Sequence, residues 1–125
     1  MVIAIGTDIV EISRVDDVYQ RHGERFARRI LCVSEQVEFE KRNRASSFLA
    51  KRFAAKEAVA KALQTGIGRG VSFHDIEIGN SSEGVPTVNL SGGALEVMDK
   101  LGGRQMHLSL ADERKYAVAY AVLSG

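Results

Sequence analysis

The sequence of 125 residues is poor in several residue types that define particular classes of protein. It contains one cysteine, one proline and no tryptophan, and its net charge at pH 7 is +1. A single cysteine excludes an intramolecular disulfide and a zinc site made of cysteines. The small net charge argues against nonspecific binding to nucleic acid or to a membrane surface, because both favour strongly basic chains. We therefore expect neither partner.

Long apolar segments are also missing. The first apolar run, residues 1–6, has no basic flank and is soon followed by Asp8, so it is too short for a signal peptide or a membrane span. The lone Cys32 lies in the apolar run 30–33, and we interpret it as a small buried side chain and not as a nucleophile. These features predict a cytoplasmic protein.

The hydrophobic pattern changes along the chain from a helical period to the alternation of strands. Helices are predicted for residues 14–21 with Ser13 as the N-cap, for short segments that begin after Gly23 and at Ser34, for Ala45–Leu63 and for Gly93–Leu101. Strands are predicted within Val2–Ile9, ending at Asp8, and for Phe73–Ile78, Val85–Leu90, Met106–Leu110 and Tyr116–Leu123. This order predicts an α+β fold with an antiparallel sheet and a long central helix, in a single domain over residues 1–125.

The final predicted strand, Tyr116–Leu123, is apolar at every position. A strand with two apolar faces is covered on both sides. The sequence leaves open whether helices or another subunit provide that cover.

Basic residues dominate the segment that contains the longest predicted helix. Seven of them lie between positions 41 and 61, namely Lys41, Arg42, Arg44, Lys51, Arg52, Lys56 and Lys61. The only acid among them is Glu57, and a glycine-rich loop, residues 66–70, follows the helix. Such a helix and loop are typical of a phosphate-binding surface, although an ordinary solvated helix face has the same composition.

Glu57 and Lys61 are four residues apart and therefore share one face of the predicted helix. One interpretation is a surface ion pair that contributes little to stability. Phe53 and Ala60 flank the same side, however, which indicates that this face is partly turned inward. A carboxylate turned inward needs a cation to neutralise it.

Asp8 is the second acid in an unusual place, at the end of a predicted buried strand. A carboxylate there is costly unless it caps a helix, pairs with a base or binds a metal, and the sequence leaves these three roles open. Two carboxylates with a lysine and nearby arginines match a Mg²⁺ site that substrate phosphates and water complete. The histidines His22, His74 and His107 are interpreted as structural, and there is no Ser-His-Asp spacing, nucleophile elbow or Walker loop.

Two segments carry a specific resemblance to a known family. They are Gly6–Ile12, with the sequence GTDIVEI, and Arg52–Ala62, with the sequence RFAAKEAVAKA. Together they closely resemble the holo-acyl-carrier-protein synthases, the bacterial 4'-phosphopantetheinyl transferases, and the resemblance extends over essentially the whole chain. It implies transfer of the 4'-phosphopantetheine group from coenzyme A to a serine of apo-acyl carrier protein, with release of adenosine 3',5'-bisphosphate, in support of fatty acid biosynthesis. It also implies the fold of that family, Mg²⁺ as the cofactor, and a homotrimer with active sites between subunits.

The resemblance further implies roles for individual residues. Asp8 and Glu57 match the Mg²⁺ ligands, Lys61 matches the lysine at the coenzyme A diphosphate, and all three are implied to be catalytic. The implied contacts to coenzyme A are Arg44, Arg52, Lys61, Gly66, Gly68 and Pro86. The implied contacts to the carrier protein are Arg14, Arg21, Arg25 and Arg29. Where many members of the family have a Ser/Thr-His pair, this chain has Ala111-Asp112-Glu113, and we do not transfer the role of that histidine to Asp112.

Two alternatives stay open from the sequence. One is a different Mg²⁺-dependent phosphotransferase or hydrolase that acts on a nucleotide, which would cleave coenzyme A without a carrier protein. The other is a binding module whose basic helices dock an acidic protein or an anion, and its binding would need neither Glu57 nor a metal.

Overall fold

A computed structural model describes all 125 residues of the chain. Strand β1 (Val2–Glu11) leads directly into four helices, α1 (Ile12–His22), α2 (Glu24–Ile30), α3 (Val33–Lys41) and α4 (Ser46–Ala62). A 3-10 helix (Phe73–Asp75) precedes the hairpin of β2 (Ile76–Asn80) and β3 (Pro86–Leu90). Helix α5 (Gly92–Lys100) then leads to the second hairpin, β4 (Gln105–Asp112) and β5 (Tyr116–Ser124). This order confirms the predicted α+β class.

The strands form two antiparallel sheets. The larger sheet has the order β1-β5-β4, so the first and last strands of the chain are neighbours. In its register Asp8 lies opposite Ala119, and Tyr120 lies opposite both Thr7 and Ser109. The smaller sheet is the β2–β3 hairpin.

Helix α4 lies close to the larger sheet because its contact face is built of alanines. Ala54, Ala55, Ala58 and Ala62 are all 0% exposed, and alanine is also the strongest helix former. Opposite them, every second residue of β5 from Ala117 to Leu123 is fully buried. Helix α4 therefore provides the cover that was predicted for one face of the final strand.

The other face of the larger sheet is not covered by the chain itself. Tyr116, Val118 and Tyr120 of β5 are 43%, 37% and 44% exposed, and Ile5 and Ile9 of β1 are 56% and 64% exposed. These side chains alternate with the buried ones, as strand geometry requires. Within one chain, the expectation of two covered faces is thus met on the α4 side only.

Two apolar cores share α4. The first combines the α4 alanines with residues of β2, β5 and α5. The second surrounds Phe39 of α3, which meets Tyr19 edge-on at 5.6 Å between ring centres and stacks on Phe48 at 5.9 Å. Because α4 contributes to both cores, it fixes the sheet relative to α1, α2 and α3.

Strand β1 and helix α1 depart from the prediction at the point where they join. Strand β1 continues to Glu11, so Asp8 lies inside the strand and not at its end. Helix α1 begins at once at Ile12, whose N–H donates to the carbonyl of Lys115, and Ser13 therefore lies inside the helix instead of capping it. None of the five α-helices is long and apolar enough to span a bilayer.

Two further boundaries were predicted wrongly. Helix α3 begins at Val33 with Cys32 at the N-cap, because the Glu35 side chain accepts the N–H of Cys32. Ser34, the predicted cap, is therefore inside the helix. Phe73–Asp75, predicted as the beginning of a strand, is the 3-10 helix, and its N-terminus is closed by the same kind of reciprocal cap.

Candidate active site

A groove of about 320 Å³ lies between β1, α1, α2 and α4. Its walls are mostly apolar, formed by Ile9, Val10, Val15, Val18, Phe26 and Phe53. The remaining lining residues are charged, namely Asp8, Glu11, Arg14 and Glu57. The two carboxylates that the sequence singled out, Asp8 and Glu57, therefore line the same cavity.

Asp8 reaches the groove from β1, and Lys61 contacts it from α4. The Lys61 ammonium donates to Asp8 Oδ1 at 3.1 Å and to the carbonyl oxygen of Thr7 at 3.0 Å. The Asp8 side chain is 16% exposed, whereas that of Lys61 is 51% exposed. The salt bridge considered for Asp8 is therefore present, and Lys61 pairs with Asp8 instead of with Glu57.

Glu57 lies one helical turn before Lys61 on α4 and is partly buried. Burial raises the pKa of the Glu57 carboxyl, the neighbouring Asp8 carboxylate raises it further, and the Lys61 ammonium opposes both. Two neighbouring carboxylates, of which only Asp8 has an ammonium partner, leave an excess of negative charge in a partly desolvated groove. A bound cation would neutralise that excess.

The donor set suits a hard divalent cation that its substrate helps to hold. The structure has no group of three or more His, Cys, Asp or Glu side chains placed to hold a metal, so the protein offers no closed cage. Mg²⁺ commonly binds through one or two carboxylates, with phosphate oxygens and water completing the octahedron. Asp8 and Glu57 fit this requirement, and a ligand with phosphate groups would supply the rest.

The arginines implied as coenzyme A contacts lie outside this groove. Arg44 forms ion pairs with Glu24 at 3.2 Å and with Glu40 at 2.7 Å. The hydrogen bond to Glu40 raises the pKa of the Arg44 guanidinium. Arg52 is 6% exposed and lies over the ring of Phe48, 4.7 Å from its centre. Neither arginine lines the cavity that contains Asp8 and Glu57.

The glycine-rich loop and Pro86 also lie apart from the groove. Gly66 and Gly68 have positive φ angles of 66° and 107°, which glycine adopts without the steric penalty of a side chain. Pro86 is the first residue of β3. One chain therefore brings together Asp8, Glu57 and Lys61, but it does not bring the other implied coenzyme A contacts to them.

The arginines implied as carrier-protein contacts lie on α1 and α2. Arg14 lines the groove. The others are exposed on the same two helices, at Arg21, Arg25 and Arg29. Sequence analysis missed the apolar wall beside them, notably Val18 and Phe26. The sequence contains a signal for this wall, because Arg14 and Val18 are four residues apart. That spacing places a basic and an apolar side chain next to each other on α1.

One basic residue of α4 is not on any surface. Lys56 is 0% exposed, and its ammonium donates to Glu35 Oε1 at 2.6 Å and to the carbonyl oxygens of Ile30 at 2.6 Å and Phe73 at 3.1 Å. Glu35 is 1% exposed and accepts two backbone N–H groups as well, at 2.6 Å and 2.9 Å. The interpretation of the whole basic segment as a phosphate-binding surface is therefore wrong for Lys56.

Two residues whose roles were open have structural partners. Cys32 Sγ lies 3.6 Å from the carbonyl oxygen of His74, and burial raises the pKa of the Cys32 thiol to about 11. The raised pKa keeps the thiol protonated at neutral pH. The residue is partly buried and not fully buried as expected. Asp112, near the position of the missing family histidine, forms an ion pair with Lys51 at 3.4 Å.

The sequence and the fold both match known proteins. Residues 4–121 match the model of the 4'-phosphopantetheinyl transferase superfamily. The chain belongs to this superfamily. A holo-[acyl-carrier-protein] synthase of Shewanella amazonensis is 58% identical to it over 122 residues, which cover 98% of each chain.

Two solved structures extend the comparison to the fold of this phosphopantetheinyl transferase. The holo-[acyl-carrier-protein] synthase of Neisseria meningitidis superimposes with a TM-score of 0.93 at 38% identity, and the match covers 100% of both chains. The Helicobacter pylori enzyme of the same name, solved in complex with coenzyme A, gives a TM-score of 0.85 at 38% identity over 96% of this chain and 99% of that one. The family fold predicted from the sequence is thereby confirmed.

Proposed function

We propose that this phosphopantetheinyl transferase uses the groove around Asp8 and Glu57 to move the 4'-phosphopantetheine group from coenzyme A to a serine of an apo-acyl carrier protein. The transferase activity follows from the family and from relatives named holo-[acyl-carrier-protein] synthases. The observation that supports this groove as its place is that two carboxylates and an ammonium group meet there beside the basic helices α1 and α2. We expect residues 1–125 to act as one domain in the cytoplasm, in support of fatty acid biosynthesis.

The chemistry requires one P–O bond to form while another breaks. The serine Oγ attacks the β-phosphorus of coenzyme A, the bond to the bridging oxygen breaks, and adenosine 3',5'-bisphosphate leaves with that oxygen. Negative charge develops on the leaving oxygen, where the half-exposed Lys61 ammonium would stabilise it. The serine proton also needs an acceptor, and Glu57, whose pKa is raised, is one carboxylate that the groove provides.

Asp8 and Glu57 are the residues that would hold Mg²⁺ in this groove. When bound, Mg²⁺ supplies Lewis-acid neutralisation of the diphosphate charge. Lys61 already contacts Asp8, so its ammonium is close to the phosphate groups that the two carboxylates would help to orient.

We further propose that the chain assembles as a homotrimer in which a neighbouring subunit supplies some of the coenzyme A contacts. Five residues that we expect to contact coenzyme A do not line the groove of their own chain, namely Arg44, Arg52, Gly66, Gly68 and Pro86. The uncovered face of the larger sheet, with Ile9, Val118 and Tyr120, supports association, because exposed apolar patches of this kind are typical of subunit interfaces. Arg14, Arg21, Arg25 and Arg29 would remain available to an acidic carrier protein.

Intact-mass spectrometry tests the reaction directly. Apo-acyl carrier protein is incubated with this protein, coenzyme A and Mg²⁺, and a parallel sample contains EDTA. We expect the carrier to gain one phosphopantetheine group, and we expect EDTA to prevent the gain. Cleavage of coenzyme A without a carrier would favour the hydrolase alternative, and carrier binding that survives both EDTA and loss of Glu57, without transfer, would favour the binding module.

Variants test the assignment of residues. Glu57→Gln and Asp8→Asn are each expected to lower turnover by at least a hundredfold while leaving the circular dichroism spectrum unchanged. The matched control is Glu38→Gln. Glu38 is also a glutamate on a helix, and it pairs with Arg42 at 3.1 Å, but it lies outside the groove. Near-normal turnover in Glu57→Gln would refute the proposed metal site.

Sedimentation equilibrium tests the trimer. Tyr120→Arg, on the uncovered face of the sheet, is expected to yield monomers with little transferase activity. Val37→Arg is the control, since Val37 is also an exposed apolar residue, at 53%, but lies on α3. A monomeric unsubstituted protein with full activity would refute the proposal.

A further inference from the structure

Strand β1 approaches the backbone of α4 at Gly6 more closely than any other residue type would allow. A Cβ atom built on Gly6 would lie 2.1 Å from the carbonyl oxygen of Ala58 and 2.6 Å from the nitrogen of Ala62. Both obstructing atoms belong to the backbone of a helix, so no side-chain rotation can relieve the contact. Gly6 does not have a positive φ angle, so the close approach, and not backbone conformation, requires glycine here.

This contact lies beside the residues of the proposed active site. The built Cβ atom would also lie 3.0 Å from Cβ of Lys61. Asp8 is two residues further along β1, so it points to the same face of the strand, about 7 Å away. Glu57 precedes Lys61 by one turn of α4. The distance between the strand and the helix at Gly6 therefore sets the distance from Asp8 to both α4 side chains.

The geometry of the groove has little tolerance for a change in this distance. To relieve a contact of 2.1 Å, the strand and the helix must separate by about 1.3 Å, which brings the two atoms to 3.4 Å, where ordinary van der Waals contact begins. The hydrogen bonds from Lys61 to Asp8 and Thr7, now 3.1 Å and 3.0 Å, would then exceed the range in which hydrogen bonds form. Two carboxylates that share a cation would be displaced by a similar amount.

We propose that Gly6 is a positioning residue that sets the spacing between Asp8 on β1 and the pair Glu57 and Lys61 on α4, and through it the affinity of the groove for a divalent cation bound with coenzyme A. The inference rests on the proposed function of this groove. Gly6 itself contacts neither the cation nor the substrate. It acts by permitting the helix and the strand to touch through their backbones.

The test compares Gly6→Ala with a control of similar size on α4, the helix that Gly6 touches. Ala54→Gly is the control, because Ala54 is fully buried on α4, and its replacement weakens the helix without filling the contact with β1. Binding of Mn²⁺ in the presence of coenzyme A is measured from the electron paramagnetic resonance signal of free Mn²⁺. For Gly6→Ala we expect the Kd for Mn²⁺ and the half-saturating Mg²⁺ concentration of the transfer reaction to rise at least tenfold.

Several readouts separate positioning from simple loss of stability. The KM for the carrier protein should stay within twofold in Gly6→Ala, because the arginines of α1 and α2 are not displaced. A variant that was merely less stable would lose active protein but keep its Kd for Mn²⁺, which is the behaviour expected of Ala54→Gly. If Gly6→Ala does not fold in buffer, the same binding is measured in trimethylamine N-oxide, which favours compact states, with the unsubstituted protein in the same solvent as reference.

Two results would overturn the inference, and they differ in what else they refute. If the unsubstituted protein binds Mn²⁺ and Gly6→Ala binds it equally well, the positioning role is wrong while the metal site stands. An equal weakening in Ala54→Gly leads to the same conclusion. If the unsubstituted protein binds no Mn²⁺ with coenzyme A present, the proposed metal site fails and the role of Gly6 fails with it.

Discussion

Substitution of Lys56 by methionine is expected to destabilise the protein by about 3–5 kcal/mol, because it leaves a buried carboxylate without its cation. Glu35, the carboxylate concerned, is 1% exposed and lies 2.6 Å from the Lys56 ammonium. A domain of this size has a free energy of unfolding of about 5–15 kcal/mol, so one side chain would control a large part of it.

The double variant Lys56→Met/Glu35→Leu provides a sharper result. Replacement of a buried ion pair by apolar side chains is often neutral or stabilising. In this protein we expect the replacement to be destabilising, because both side chains also bind backbone groups. Glu35 accepts the N–H groups of Cys32 and Ile78, and Lys56 donates to two carbonyls. Four backbone groups would lose a partner, but the Phe73 carbonyl would keep the N–H of Ile76. The other three would cost about 1–3 kcal/mol each where water cannot reach them. We therefore expect the double variant to remain at least about 3 kcal/mol less stable than the unsubstituted protein.

The assay is urea unfolding followed by circular dichroism, at one protein concentration because of the proposed association. Lys51→Met is the matched control on the same helix. Lys51 pairs with Asp112 at 3.4 Å, but the two side chains are 34% and 39% exposed, so water screens the pair. Such a pair contributes about 0–1 kcal/mol. A double variant as stable as the unsubstituted protein would refute the argument from the backbone contacts, and a cost below about 1 kcal/mol for Lys56→Met would refute the argument from the buried charge.

Four further predictions concern other parts of the molecule. Cys32 should react with iodoacetamide at pH 8.5 about a hundredfold more slowly in the native protein than in urea, since burial raises the pKa of its thiol from an ordinary 9.0 to about 11, and equal rates would contradict its burial. The same raised pKa means that the native state keeps its thiol proton longer, so the stability due to Cys32 should be intact below pH 9 and decline as the pH rises towards 11, which unfolding curves of the unsubstituted protein and Cys32→Ala would reveal. Gly93→Ala should raise the KM for coenzyme A, because a Cβ atom there would lie against the carbonyl of Gly70 and displace the glycine-rich loop, and an unchanged KM would argue against a role of that loop. Lys61→Met should lower kcat at least tenfold with little loss of stability, since the Lys61 side chain is 51% exposed, whereas a large loss of stability would indicate that its contact with Asp8 is mainly structural.

The sequence allowed the prediction of those features that depend on local pattern or on a distinctive motif. The alanine-rich helix was predicted almost to the residue, as Ala45–Leu63 against the observed Ser46–Ala62, because its composition and its terminal glycine act locally. Asp8 and Glu57 were singled out because carboxylates are rare in apolar surroundings. That they line one groove depends on the packing of β1 against α4, and this contact joins segments about 50 residues apart that periodicity alone cannot relate.

Two of the failures, at Lys56 and at Ser34, have one cause in common. Lys56 was counted with surface charges, although it is the partner of Glu35, which is 21 residues away in the chain. The same carboxylate accepts the N–H of Cys32 and so moves the start of α3 away from the predicted cap at Ser34. A buried pair that serves tertiary structure looks, in the sequence, like two ordinary charged residues of helices.

The position of β1 beside β5 in the larger sheet has a consequence for synthesis of the chain. The Thr7 hydroxyl donates to the carbonyl of Ala119, a contact between residues 112 positions apart. Chains emerge from the ribosome starting at the N-terminus, and pairing over such separations is slow. Asp8 is therefore made long before Ala119, and it cannot take its place opposite that residue until β5 has been released. A nascent chain that lacks β5 would contain every residue of the proposed active site, but β1 would have no strand to pair with, so these residues would not yet be assembled.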